Sequence, residues 1–432
     1  MKKIISVLCL LMLLAGTFSV HASAPGTKAT SVILATLNGQ QIVYSKNPDK
    51  QLAPAEFTKL MTAYTTYKIY GKDAVITVPD NLSEYVNYME TRMNLKGGEE
   101  ITTASLMYGM LMGQANDAAI AVALYYGGIE EFSGRMNEYA KQLGMENSVF
   151  TNPTGNSDSS QYTTASDMLK LYRAFYANKD LYAFLSQKNV TLPATNKTQQ
   201  RTYWTKNHLM SRFIYLEYMY DYANAGLSSS SSHGGYSVIS SASKGTKELA
   251  CIVMDSAYEN GVNYSMIDAQ EMFNYGFDDF STVTLAKQGD LLYEVKLKNQ
   301  KGKSTLLLNA EKTIKGIILD TDMEEHGSKL NEIIQKEVLV EEPVKAPVKK
   351  GDVVGKMVYK YQGNLMGEVN LIAETDVKRG LFRTIASGIK WFFTLKAVKI
   401  TIILIISLVA VFYALVINNA KKNKSKRRKR RR

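Results

Sequence analysis

Eighteen consecutive residues without a charge, Ile400 to Ile417, followed by a block of basic residues, constrain this chain more than any other feature. That length is the low end for a helix that crosses a bilayer. Lys421 to Arg432 holds ten Lys/Arg and no acid, and the positive-inside rule keeps such a block cytoplasmic. At the other end Lys2-Lys3, the apolar run Ile4 to Ala15 and the small residues Ala22-Ser23-Ala24 have the layout of a cleaved secretory leader. Everything between is therefore expected to fold outside the cytoplasm, tethered to the membrane by one C-terminal span. The expected segments are a signal peptide over 1–24, an amphipathic juxtamembrane helix over 378–399, the span over 400–417 and a basic cytoplasmic tail over 418–432.

The net charge of +12 would suggest a nucleic-acid partner if it were spread over the body. Ten of those charges lie in the tail, and the +2 left is matched by Lys2 and Lys3. The folded part is near neutral, and no nucleic-acid partner is expected. Cys251, in the apolar run Leu249 to Met254, is the only cysteine left once the leader with Cys9 is gone, and it reads as a buried strand residue. The four histidines lie far apart, so no metal-ligand spacing is seen and no cofactor is expected.

Residues 25–280 read as an α+β domain. Ser31 to Leu37 and Gln41 to Ser45, split by Asn38-Gly39, look like a hairpin. Helical composition follows Pro54 through Tyr70. Ser105 to Tyr126 reads as one buried helix, Glu130 to Leu143 and Ala165 to Ala177 as amphipathic helices, and Glu248 to Asp255 as a returning strand. Helices enclosed by N- and C-terminal strands suggest one sheet built from both ends. Residues 281–377 change texture. Short alternating runs such as Leu291 to Leu297, Ser304 to Leu308 and Val353 to Tyr361 suggest a small all-β domain.

Several segments together carry a family resemblance. Pro54-Ala55-Glu56-Phe57-Thr58-Lys59, then Asn116-Asp117-Ala118-Ala119, Leu143-Gly144-Met145, Phe150-Thr151-Asn152-Pro153 and Ala346 to Gly355 follow one another in order. The chain resembles the serine D-alanyl-D-alanine carboxypeptidases, the low-molecular-mass penicillin-binding proteins of peptidase family S11, over about residues 30–377. The resemblance implies a penicillin-binding/β-lactamase-like transpeptidase domain followed by the small β domain, and action on peptidoglycan stem peptides.

It also implies three catalytic motifs, Ser-x-x-Lys, Ser-x-Asn and Lys-Thr-Gly, and each is altered here. Glu56 stands at the nucleophile position, with Lys59 retained. Gln114-Ala115-Asn116 replaces Ser-x-Asn, with Asn116 retained. Ser228, Ser229 and Ser230 stand where Lys, Thr and Gly belong, and Thr154 replaces a frequent His. Glu56 cannot form the ester a serine would. At i, i+3 it shares a helix face with Lys59, so an ion pair is expected, and the carboxylate should favour the ammonium form and make Lys59 a worse base. Thr58, one residue along, points elsewhere. A nucleophile within Ser228 to Ser232 would attack from the wrong wall, and a Glu56 general base lacks an oxyanion or metal partner. Without the third-motif cation a terminal D-Ala carboxylate should bind weakly.

Three readings follow. One is a membrane-tethered pseudoenzyme that binds wall peptide or a cell-wall enzyme. The second is a divergent carboxypeptidase that is still active. The third is a structural adaptor whose tail recruits a cytoplasmic partner.

Overall fold

The computed structural model describes residues 24–211, 216–231, 234–300, 304–380 and 396–429. The expected leader, most of the juxtamembrane helix, Ser232 and His233 lie outside these. The described chain divides into two compact units. The first runs to Leu285 and takes in Ile314–Glu337 and Val358–Glu368; the second comprises Ala286–Thr313, Val338–Met357 and the chain from Val369 onward.

The first unit is organised by a five-stranded antiparallel sheet: β1 (Ser31–Thr36), β2 (Ile42–Lys46), β3 (Ala223–Ser231), β4 (Gly235–Lys244) and β5 (Lys247–Ser256), in the order β2-β1-β5-β4-β3. All six residues of β1 are buried, because helices cover both faces of the sheet. The strand alternation then sorts residues by face. Ile33, Ala35, Ala250, Ile252 and Met254 join the core under the main helical layer. Val32, Leu34, Leu249, Cys251 and Val253 join a second core with Met266, Met272 and Phe273 of a C-terminal helix, Tyr264–Asp278. The free thiol of Cys251 sits in that second core, fully buried.

The main helical layer comprises α1 (Thr58–Tyr70), α2 (Thr103–Leu111), α3 (Asn116–Tyr126), α4 (Ile129–Gln142) and α5 (Ala165–Ala177). The single helix expected over Ser105 to Tyr126 is in fact two. Thr102 caps α2, its Oγ1 accepting from Ser105 N–H at 3.2 Å. The chain then turns through Met112 to Ala115. A Cβ on Gly113 would lie 2.7 Å from the Gly109 carbonyl and 2.8 Å from the Tyr203 ring, so only glycine allows this approach. Gln114 next to it is left-handed, with φ 55°. The break matters because it delivers Gln114 and Asn116 to one edge of the sheet.

Ile314–Leu319 packs with the first unit. Gln41 Nε2 donates to the Ile317 carbonyl at 2.7 Å, and Ile317 N–H donates back to Gln41 Oε1 at 2.9 Å. A short helix, Asp320–His326, follows it; the alternating-strand reading of this region had no helix. In the second unit Leu291–Lys298 pairs antiparallel with Thr305–Ala310, and Leu308 to Ala310 pair with Leu371 to Ala373. Inward and outward residues alternate along Thr305–Ala310. The C-terminal helix, Lys396–Lys429, contains a 20-residue stretch, Lys399–Asn418, long and apolar enough to cross a membrane.

Candidate active site

The three altered motifs converge at the N-terminal end of α1. Glu56 lies in a 3-10 turn, Ala55–Phe57, that runs directly into the helix. Ala55 is left-handed at φ 46°, an unfavourable state for alanine that persists only where surroundings impose it. The neighbouring loop does so: a Cβ on Gly155 would lie 1.9 Å from the Ala55 carbonyl, so the two backbones are in direct contact.

Lys59 sits one helical turn beyond Glu56 and is 1% exposed, against 28% for the Glu56 side chain. Its Nζ pairs with Glu56 Oε2 and donates to the Thr154 carbonyl at 2.7 Å. The expected ion pair is present and Glu56 favours the ammonium as expected, but burial decides the net direction for Lys59. Burial pushes the Lys59 ammonium below its ordinary value, and the charge and hydrogen bond of Glu56, with a smaller contribution from Glu90, only partly restore it. Desolvation of a fully buried amine outweighs one half-solvated carboxylate.

The serine stretch forms the last part of β3, facing the Glu56 turn. Glu56 N–H donates to Ser229 Oγ at 3.1 Å. An amide at the start of a helix is the type of donor that can stabilise acyl-transfer intermediates; here a serine hydroxyl occupies it. Ser228 Oγ donates to the Lys206 carbonyl. Gln114 Nε2 reaches across to donate to the Ser228 carbonyl at 2.7 Å. Ser230 is exposed. Glu56 bonds to Lys59, Gln114, Ser228 and Ser229 bond to backbone groups, and Thr154 Oγ1 donates to Asn152 Oδ1 at 2.9 Å. Thr58 Oγ1 is fully buried without a partner, beneath Gly155, so it offers no accessible substitute nucleophile.

Asn116 opens α3. Its Nδ2 donates to Glu90 Oε2 at 2.6 Å and to Asn156 Oδ1 at 3.1 Å, while Asn156 Nδ2 donates to Glu90 Oε1 at 3.1 Å. Sequence reasoning missed Glu90 and Asn156. Asn156 directly follows the Asn-Pro-x-Gly stretch and could have been noticed; Glu90 sits in a tyrosine-rich loop with no motif. Glu90 lines a hollow of about 980 Å³ with Tyr85, Tyr88 and Asp117, and Asn156 lines another of about 580 Å³ with Ala55, Asp158 and Ser231. Among the described residues no group of three or more His, Cys, Asp or Glu could hold a metal ion.

Comparison with known proteins fits this geometry. A model of the D-alanyl-D-alanine carboxypeptidase family, peptidase S11, matches residues 18–257, and a model of the penicillin-binding protein 5 C-terminal domain matches residues 280–379. The chain is 27% identical to the D-alanyl-D-alanine carboxypeptidase DacF of Bacillus subtilis over 396 residues, 89% of this chain and 97% of that one. It is 29% identical to DacC of Escherichia coli over 378 residues, 83% of this chain and 86% of that one. Penicillin-binding protein 5 from Haemophilus influenzae shares the fold at a TM-score of 0.66 and 23% identity, over 83% of this chain and all of that one. The chain belongs to the D-alanyl-D-alanine carboxypeptidase family, peptidase S11, and carries that family's penicillin-binding protein 5 C-terminal domain.

Proposed function

We propose that this protein is a catalytically inactive member of its family, anchored in a bacterial membrane, that acts in peptidoglycan metabolism by binding a stem peptide or a cell-wall enzyme. The observation that carries this is the state of the nucleophile position. Glu56 is held by the one base that would activate a nucleophile there, and its amide is occupied by Ser229 Oγ. A carboxylate so placed cannot form the ester that the family's serine chemistry needs, and the amide bonded to Ser229 is not free to stabilise an oxyanion.

In this reading residues 1–24 are removed as a leader, 25–280 form the peptidase-like domain and 281–377 the β-rich domain. Residues 378–399 lie at the interface, 400–417 span the bilayer and 418–432 remain cytoplasmic, in contact with anionic headgroups. A divergent active carboxypeptidase is the competing reading. It is favoured by the depressed Lys59 ammonium, a property of a usable base, and disfavoured because, among the described residues, Lys59 Nζ bonds Glu56 and the Thr154 carbonyl and no hydroxyl. The test is D-alanine release from a D-Ala-D-Ala-terminated peptide by the detergent-solubilised full chain, run beside sedimentation with purified peptidoglycan. No release with co-sedimentation supports the proposal. Turnover that disappears in Lys59→Met supports the competing reading.

A further inference from the structure

Residues 80–97 form a closed loop beside the altered cleft. Its ends are tied together: Gly98 N–H donates to the Val78 carbonyl and Val78 N–H to the Glu99 carbonyl, both at 2.8 Å. Its far side is fastened by the buried Asp117 carboxylate, which accepts from Met93 N–H at 2.8 Å and Leu95 N–H at 3.0 Å. Its first stretch, Asp80–Glu84, is a 3-10 turn, closed by Tyr85 N–H on the Leu82 carbonyl at 3.1 Å. Glu90 N–H donates to the Asn87 carbonyl, also at 3.1 Å. The hollow of about 980 Å³ that this loop lines is therefore held in a hydrogen-bonded frame, with the volume of a large ligand site.

The frame leaves its aromatic rings in the open. Tyr85 is 46% exposed and Tyr88 76%, and both line the hollow. Its aliphatic lining is turned the other way: Leu82 is buried, and Val86 and Leu95 pack on the domain core. Met89 is exposed but lies outside the hollow. The rest of the lining is polar and exposed, with acceptors on Glu84 and Asn87 and donors on Asn94 and Lys96. That composition selects among ligands. An apolar helix would find no exposed aliphatic floor, and a simple ion would meet charges of both signs. A pyranose ring has a C–H face that stacks on the electron-rich face of an aromatic ring. Its rim carries hydroxyls, each one donor and two acceptors. It uses open tyrosines, donors and acceptors together.

We propose that the hollow framed by Tyr85 and Tyr88 binds a polysaccharide chain, the glycan strand of peptidoglycan. The inference rests on the reading of this protein as one that binds the wall, and names the part of the polymer it holds. Position supports the match. Glu90 lines the hollow and also accepts from Asn116 Nδ2 at 2.6 Å in the altered cleft. The sugar site and the peptide cleft therefore adjoin, as sugar and stem peptide do in the polymer. Stacking on two tyrosines holds the wall without the cation that the altered third motif has lost.

The test is fluorescence anisotropy with a labelled N-acetylglucosamine tetramer and the full chain in a detergent that has no sugar headgroup. The tetramer is expected to bind. Tyr85→Ala and Tyr88→Ala should each weaken it about tenfold, at unchanged thermal stability because both rings are exposed. Tyr88→Phe should keep most of the affinity and Tyr88→Leu should not, since stacking needs the ring face. Salt should change binding little, because the tetramer is neutral. Unlabelled glycan strands stripped of their stem peptides should compete. No binding of the tetramer, alanine variants that bind as well as the natural sequence, Tyr88→Leu equal to Tyr88→Phe, or strands that fail to compete overturns the inference. Binding of a free D-Ala-D-Ala peptide without the tetramer overturns it while leaving wall-peptide recognition standing. D-alanine release would sink the underlying reading separately.

Discussion

Replacing Glu56 with Gln removes the charge that accompanies a fully buried ammonium. Breaking a buried pair by removing one partner costs about 3–5 kcal/mol. Glu56 is 28% exposed, and the Thr154 carbonyl stays in place at 2.7 Å, which brings the expected cost at pH 7 to about 2–4 kcal/mol. A ceiling follows from titration. Lys59 can shed its proton instead of remaining charged; taking an amine of ordinary pKa 10.5 to its neutral form at pH 7 costs about 5 kcal/mol. At pH 9.5 the same ceiling is about 1.4 kcal/mol. The sign is fixed by which state holds the proton more tightly. Burial lowers the Lys59 pKa in the fold, so the unfolded chain binds more protons and stability rises with pH from the folded value up to 10.5. Removing Glu56 takes away a group that raises that pKa, and the window widens downward. The Glu56→Gln deficit should therefore shrink steadily from pH 7 to 9.5, and Glu56→Gln/Lys59→Met should recover most of it. Urea unfolding of the solubilised chain, followed by tryptophan fluorescence, measures both. A deficit below about 1 kcal/mol at pH 7, or one independent of pH, would refute the reasoning.

Glu99 is fully buried and takes two bonds from Arg201, at 2.8 and 3.1 Å. Arg201→Met should cost about 3–5 kcal/mol in urea unfolding. Burial pushes the Glu99 carboxyl up, but Arg201, Thr198, Thr195 and the Lys96 amide hold it below its ordinary value of 4.5. The stability it contributes is complete above that value and is lost as pH falls through the lower folded pKa, and wild-type acid unfolding beside Arg201→Met checks this. Gly155→Ala should lower the melting temperature by several degrees, because φ is +87° and the new Cβ would meet the Ala55 carbonyl at 1.9 Å. Cys251 should resist maleimide in the native chain and react fully in denaturant, since burial removes access and pushes the thiol pKa up.

The sheet was legible because β1 and β5 are continuous apolar runs that only a strand covered on both faces would carry. The break between α2 and α3 was not. Both helices are buried nearly all round, so no polar face went out of phase to mark it, and Gly113 was the only hint. The Glu56–Lys59 contact could be read from its spacing, but the pKa direction could not. Spacing reports the partner's charge and says nothing of how completely Lys59 is desolvated. Glu90 and Asn156 lie 66 residues apart and meet only because two loops converge over the start of α3. The mutual amide bridge between Gln41 and Ile317 is equally non-local.

The central claim is that an intact scaffold holds a site unable to react. Fluorescent-penicillin labelling tests it most directly, with the full chain in detergent compared against a variant carrying Glu56→Ser, Gln114→Ser, Ser228→Lys, Ser229→Thr and Ser230→Gly. No label on the natural sequence and label on the five-fold variant is the predicted result. A covalent adduct on the natural sequence would contradict it and would place a working nucleophile on one of its remaining hydroxyls.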